Sequence, residues 1–255
     1  MSPKTPISVM SAGPEPGSLA RRAEADRTEM VYRELHTAIV ERRLAAGARL
    51  PEGKLSQLFG VSRTIVRQAL QRLVHAHLAV QEPNHSVRVA APSVEEVHHL
   101  YEVRRLIECA LIAETGKLGR PSITRLRNLV ADEARANAAG DVRSAMQLAD
   151  AFHIELARVL GNPILVEILG ELIARGNVAI SLYEQPGRAN CRCDEHMRIL
   201  KYLASGANHL AQHEMLEHLT AIEQSLNLAR DNRPDRSLTN IFQVPPAAVI
   251  RKGKA

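Results

Sequence analysis

Between residues 50 and 78 the apolar positions Leu55, Leu58, Phe59, Val61, Ile65, Val66, Ala69, Leu70 and Leu73 recur at helical spacing on either side of Gly60. The pattern predicts two short amphipathic helices joined by a tight turn. Ser62 stands where an N-cap would open the second helix, and Arg63, Thr64 and Arg67 fall in its first turns on the polar face. After Leu78 the periodicity changes. Val80 alternates with Gln81, a turn is signalled at Pro83-Asn84, and Val87 and Val89 alternate again, which predicts a two-stranded hairpin. Three helices and a small hairpin make a winged helix-turn-helix, whose second helix of the pair presents side chains to DNA. A surface helical hairpin with solvated arginines is the competing reading, and the hairpin that follows weighs against it.

From Ser93 onward the strand signal disappears. Helices are predicted over 94–118, 122–139, 142–160, 163–184, 191–205 and 208–229, with breaks at Gly119-Arg120-Pro121, Gly140-Asp141, Gly161-Asn162-Pro163, Gln185-Pro186-Gly187 and Gly206. Short connections make this an antiparallel six-helix bundle. The expected fold class is mainly α: a disordered N-terminal arm over 1–27, a winged-helix domain over 28–90, a linker over 91–93, a helical effector and dimerisation domain over 94–230, and a tail over 231–255.

Charge sharpens this division. Residues 1–93 hold 13 Lys/Arg against 8 Asp/Glu, whereas residues 94–255 hold 20 of each. The whole formal surplus of +5 therefore lies in the half with the DNA-binding pattern, where phosphate contacts need it. Aromatic residues make up 3% and Trp is absent, which favours aliphatic helix packing. Three cysteines (Cys109, Cys191, Cys193) are too few for a disulfide framework and fit a reducing cytoplasm. No apolar run suits a membrane span or a secretory leader. Arg21, Arg22 and Arg27 in the arm are candidates for the minor groove, although a mobile terminus is the better explanation of them.

The histidines of the second half carry the candidate chemistry. His153 shares a helical stripe with Leu156, Ala157 and Leu160; His196 with Ile199, Leu200 and Leu203; His218 with Met215, Ala221 and Ile222. Three inward histidines from three helices either converge on one divalent metal or sit apart, each satisfied by a carbonyl or carboxylate. Cys191 and Cys193, close before His196, have ligand-like types but read more simply as small hydrophobes. His209 and His213 read as a solvated face. A metal-dependent hydrolase or a pure metal sensor are the rival functions, but neither a general-base carboxylate, a nucleophile motif nor a phosphate loop is evident.

Taken together, AAGARLPEGKLSQLFGVSRTIVRQALQRL in the first half, and YEVRRLIE, FHIELARVLGNP and the EH…HL spacing in the second, resemble the GntR family of bacterial regulators with a FadR-type C-terminal (FCD) domain. The resemblance covers about residues 28–230, and six helices rather than seven resemble the VanR-like subgroup. It implies a homodimeric, ligand-responsive regulator, most simply a repressor, that binds a palindromic operator in double-stranded DNA and leaves it when a small organic acid binds near the metal. Arg49, Lys54, Ser62, Arg63, Thr64 and Arg67 fall at DNA-contacting positions. Ile65 replaces the family's usual Pro, and the wing tip is Asn84-His85-Ser86 in place of Asn-Arg-Gly, which leaves His85 as the wing's candidate contact. The family's metal ligands map to His153, His196 and His218. Its carboxylate position, four residues before the first histidine, is Ala149, so Asp150 is the candidate there. The resemblance implies zinc as the first metal, with nickel or manganese as alternatives. Arg104 matches an arginine that faces the effector pocket, with Arg105 or a plain salt bridge as the competing explanation. Asn177 and Tyr183 are further candidates for the lining.

Overall fold

The computed structural model describes residues 16–83, 86–184 and 193–228. The N-terminal half is α1 (Pro16–Val40), α2 (Glu52–Phe59), α3 (Arg63–His75), β1 (Ala79–Gln81) and β2 (Val87–Val89). The second half is α4 (Val94–Glu114), α5 (Arg120–Ala138), α6 (Val142–Val159), α7 (Pro163–Tyr183), α8 (Cys193–Ser205) and α9 (Asn208–Gln224). None of the described helices is long and apolar enough to cross a membrane.

The helix-turn-helix forms for the reasons its pattern gives. Leu55 of α2 and Ile65, Val66, Ala69, Leu70 and Leu73 of α3 are buried together with Val31, Leu35 and Ile39 of α1. Gly60 ends α2 with φ 64°, a left-handed cap that a glycine adopts without steric cost. Ser62 then opens α3 by accepting from the Ile65 N–H at 3.3 Å. The hairpin pairs β1 and β2 antiparallel, with Val80 opposite Arg88. Residues 47–50 lie along its other edge: the Gly47 and Leu50 N–H groups donate to Val89 and Val87 carbonyls at 3.0 and 2.8 Å.

One expectation is corrected here. Residues 16–27, expected from composition to be part of a disordered arm over 1–27, are helical and belong to α1, while residues 1–15 lie outside the described residues. Past Pro16 the segment SLARRAEADR is rich in strong helix formers, and Pro is tolerated in a first turn. Arg21, Arg22 and Arg27 therefore ride on a helix.

Caps set the bundle helices. Ser93 and Glu96 form a capping box at α4, Asp141 accepts from the Ser144 N–H at 3.0 Å, and Asn162 precedes Pro163 at α7. α5 packs along α6, and α4 and α8 along α9. The two halves share a core: Val97 and Tyr101 of α4 and Ala174, Val178, Ala179 and Leu182 of α7 pack with the winged-helix residues.

Candidate metal and effector site

α6, α8 and α9 each bring one buried histidine to a common point. The ligand atoms of His153, His196 and His218 all lie within 4.8 Å of one another. His196 Nε2 is 3.2 Å from His218 Nε2, which is 3.3 Å from His153 Nε2. Each ring is held from behind by a carboxylate on another helix. His153 Nδ1 meets Glu108 of α4 at 2.5 Å, His196 Nδ1 meets Glu133 of α5 at 2.7 Å, and His218 Nδ1 meets Glu195 of α8 at 2.6 Å. Phe152 stacks on the His196 ring with centroids 4.6 Å apart.

The protonation pattern follows from the partners. An ionised carboxylate only accepts, so each Nδ1 carries the proton and donates it. With the rings neutral, each turns an Nε2 lone pair inward, and that of His218 lies at contact distance from the other two. A cation resolves that repulsion. The two separations from His218 also fit, since zinc–nitrogen bonds of about 2.0–2.1 Å in a tetrahedron place the nitrogens about 3.3 Å apart. Buried carboxylates behind histidine ligands are the usual device for fixing the tautomer and the ring orientation.

The carboxylates were the part that sequence reading missed. Glu108 sits four residues after Arg104, on a stripe with Tyr101 and Leu111, and all four are buried. Arg104 Nε donates to Glu108 Oε1 at 2.8 Å, so Glu108 links an arginine to His153. Burial alone would push the Glu108 carboxyl up, but Arg104 and then His153 outweigh it and hold it at about 2. Glu133 continues the apolar stripe of Leu126 and Val130, and a charge on such a stripe is itself a signal.

Beside the histidines lies a cavity of about 110 Å³. Ala149, Asp150, His153, His196, His218, Arg104 and Asn177 all line it. Asp150 stands apart from the histidine group, its Oδ2 accepting from Asn177 Nδ2 at 2.7 Å. Burial pushes its carboxyl up to about 6, against the pull of Asn177, Arg104 and Arg42. Tyr183 is placed elsewhere. It lies six residues beyond Asn177, roughly 120° around the helix, and its hydroxyl donates to the Pro92 carbonyl at 2.8 Å, against the linker. Arg105 faces away from the cavity and pairs with Glu223 at 2.5 Å. His209 and His213 are exposed on α9, Cys193 is buried at the start of α8, and Cys191 lies outside the described residues.

On the other half, Arg63, Thr64 and Arg67 are exposed along the first turns of α3. Arg67 is held by α2: its Nε and terminal nitrogen donate to both Glu52 oxygens at 2.9 and 2.8 Å. The Arg63 guanidinium lies over α2, 3.5 Å from where a side chain on Gly53 would begin. Lys54 and Arg49 are exposed, while His85 lies outside the described residues. An exposed ion pair is a weak hold, so Arg67 is available for a base edge. Arg67→Ala is expected to weaken operator binding about 10- to 100-fold with the thermal midpoint unchanged; equal affinities in a fluorescence anisotropy titration at one salt concentration would remove Arg67 from the reading set.

Residues 27–89 match the family of bacterial regulatory proteins named gntR, and residues 99–221 match the FCD domain family. The chain belongs to the GntR family, with an FCD domain. Among the relatives of this GntR/FCD chain is an HTH-type transcriptional regulator in an unstable DNA locus of Streptomyces ambofaciens, 26% identical over 84% of this chain and 91% of that protein. Another is the HTH-type transcriptional repressor RspR of Escherichia coli, 23% identical over 81% and 92%. A crystal structure of a GntR transcriptional regulator from Rhodococcus sp. RHA1 superposes with a TM-score of 0.71 at 25% identity, covering 78% of this chain and 96% of that one. The family and these relatives are transcription regulators and not enzymes, which sets aside the hydrolase reading. This GntR/FCD protein is a transcription regulator.

Proposed function

We propose that this regulator is metal-containing and binds a palindromic operator as a homodimer, as a repressor that releases DNA when a small carboxylate-bearing metabolite enters the cavity beside the histidines. The observation that carries the metal is the inward convergence of three Nε2 atoms, each backed by a glutamate at its Nδ1. His153, His196 and His218 are the ligands, and Asp150, held by Asn177, is a fourth candidate at the cavity wall. When bound, the ion supplies a positive centre for a ligand oxygen; zinc fits the nitrogen donors and the spacing best, with nickel and manganese as alternatives. The neighbouring Arg104 and Asn177 supply donors to the same space.

Size narrows the effector. A dry cavity of about 150 Å³ holds a molecule of about six heavy atoms, and this one is smaller. A short organic acid fits; a long-chain acyl group does not.

The repressor reading draws on the E. coli relative named as one. The homodimer draws on Val103, Leu106, Leu210 and Leu216, which stand exposed on α4 and α9, and on the two-fold symmetry that helix-turn-helix proteins share with their operators. The six helices α4–α9 are consistent with a VanR-like subgroup.

Elemental analysis and native mass spectrometry of protein purified without a histidine tag test the whole reading. About one zinc, nickel or manganese per chain in a dimer, with an added organic mass, is the expected result. A metal-free dimer that still binds its own promoter DNA would leave the regulator standing and reduce the histidines to packing.

A further inference from the structure

One cavity-lining side chain comes from the DNA-binding half. Arg42 stands two residues past the end of α1, with φ 58°, a left-handed conformation that a glycine takes at less cost. Leu44, Ala45 and Ala46, which follow it, are buried and fix this turn to the winged helix. The Arg42 side chain nevertheless lines the effector cavity with Arg104, Asp150 and His153. There it pairs with Glu184, the residue that closes α7. Its Nε is buried and has no hydrogen-bond partner among the described residues. A buried guanidinium N–H without an acceptor is costly, and a charged acceptor repays it strongly.

The rest of the turn is gripped as well. Glu41 accepts from Gln147 Nε2 at 2.6 Å and pairs with Arg143, both on α6. That helix also carries Asp150 and His153, and α7 carries Asn177. A single turn of the DNA-binding half is thus held by the two helices that wall the cavity.

We infer that Arg42 is an effector-recognition residue: a carboxylate oxygen of the bound ligand takes its buried Nε–H and competes with Glu184 for its guanidinium, so the winged-helix half supplies part of the ligand site. The inference rests on the proposed role of the cavity as a small-carboxylate site. It makes the coupling direct. A ligand that touches Arg42 binds differently when the winged helix is placed differently, which is the differential affinity that release of DNA requires. The linker at residues 91–93 is then not the sole route between the halves.

Calorimetric titration of the full-length protein, as purified with its metal, against formate, acetate, glycolate and lactate decides the matter. Arg42→Gln is expected to weaken the best of these carboxylates by about 10-fold or more. Arg42→Lys recovers part of the loss, since the charge remains but the fork of donors does not. Glu184→Gln removes the competing carboxylate and is expected to tighten binding several-fold. Metal content and circular dichroism report whether each variant has kept its fold. Binding by the wild type with an unchanged constant in Arg42→Gln overturns the inference and leaves the proposed function intact. If none of the four carboxylates binds the wild type, both fall. Should Arg42→Gln fail to fold, Glu184→Gln decides: tighter binding supports the inference, and equal or weaker binding overturns it.

Discussion

His196→Ala is expected to lower metal affinity by more than about 100-fold and to lower the thermal midpoint of the metal-loaded protein. Loss of a residue that merely supports a ligand costs about 10- to 100-fold, so loss of a ligand exceeds that. Two nitrogens remain, and Glu133, which held the ring, is left buried without its histidine partner. Phe152 loses its stacking surface as well. Part of the stability effect is linkage, because a metal that binds only the folded state stabilises it by RT times the logarithm of one plus the ratio of free metal concentration to Kd, which shrinks as Kd rises. The check is elemental analysis beside a melting curve with and without chelator. A variant that keeps one metal per chain removes His196 from the ligand set. A wild type whose midpoint does not respond to chelator removes the metal from the stability argument.

The second large effect is expected at Glu108. It is 1% exposed and joins Arg104, itself 4% exposed, to His153. Glu108→Gln keeps the shape but leaves the Arg104 guanidinium buried without its carboxylate. Breaking a buried pair in this way costs about 3–5 kcal/mol, because an uncompensated charge remains in a poor solvent for it. His153 also loses its charged acceptor, so metal affinity falls by about 10- to 100-fold. The pH dependence has a definite sign. The Glu108 carboxyl is depressed from 4.5 to about 2 in the folded protein. It therefore contributes stability that is complete above its unfolded value and is lost as pH falls through that interval. The wild type should lose stability between about pH 4.5 and pH 2, and the variant should show a flatter profile there. Urea titrations at several pH values measure this. Equal stability of the two proteins at pH 7 would mean that another acid, such as Asp150, already compensates Arg104.

Much of the DNA-binding half was legible because its signals are local. Gly60, Ser62 and the spacing of Ile65, Val66, Ala69, Leu70 and Leu73 each act within one or two turns of chain, and the fold uses them as the pattern says. The extent of α1 was underestimated because proline- and serine-rich composition up to residue 18 masked the helix formers that follow it. In the bundle, helix positions and the inward stripes of His153, His196 and His218 were equally readable, since 3.6-residue periodicity shows which face is buried. It does not say what that face meets.

That limit explains the rest. Tyr183 and Asn177 share one helix, and only the packing around α7 shows that one lines the cavity and the other touches Pro92. Glu133 and His196 are 63 residues apart, and Arg42 and Glu184 are 142 apart. By itself the sequence determined a winged helix-turn-helix joined to a helical bundle, and three histidines turned inward. Tertiary structure alone decided that the histidines meet at their Nε2 atoms, that three glutamates stand behind them, and that the DNA-binding half reaches into the cavity. Helix periodicity is set by neighbours along the chain, whereas convergence depends on how helices distant in sequence dock, and that is settled by packing of the whole core.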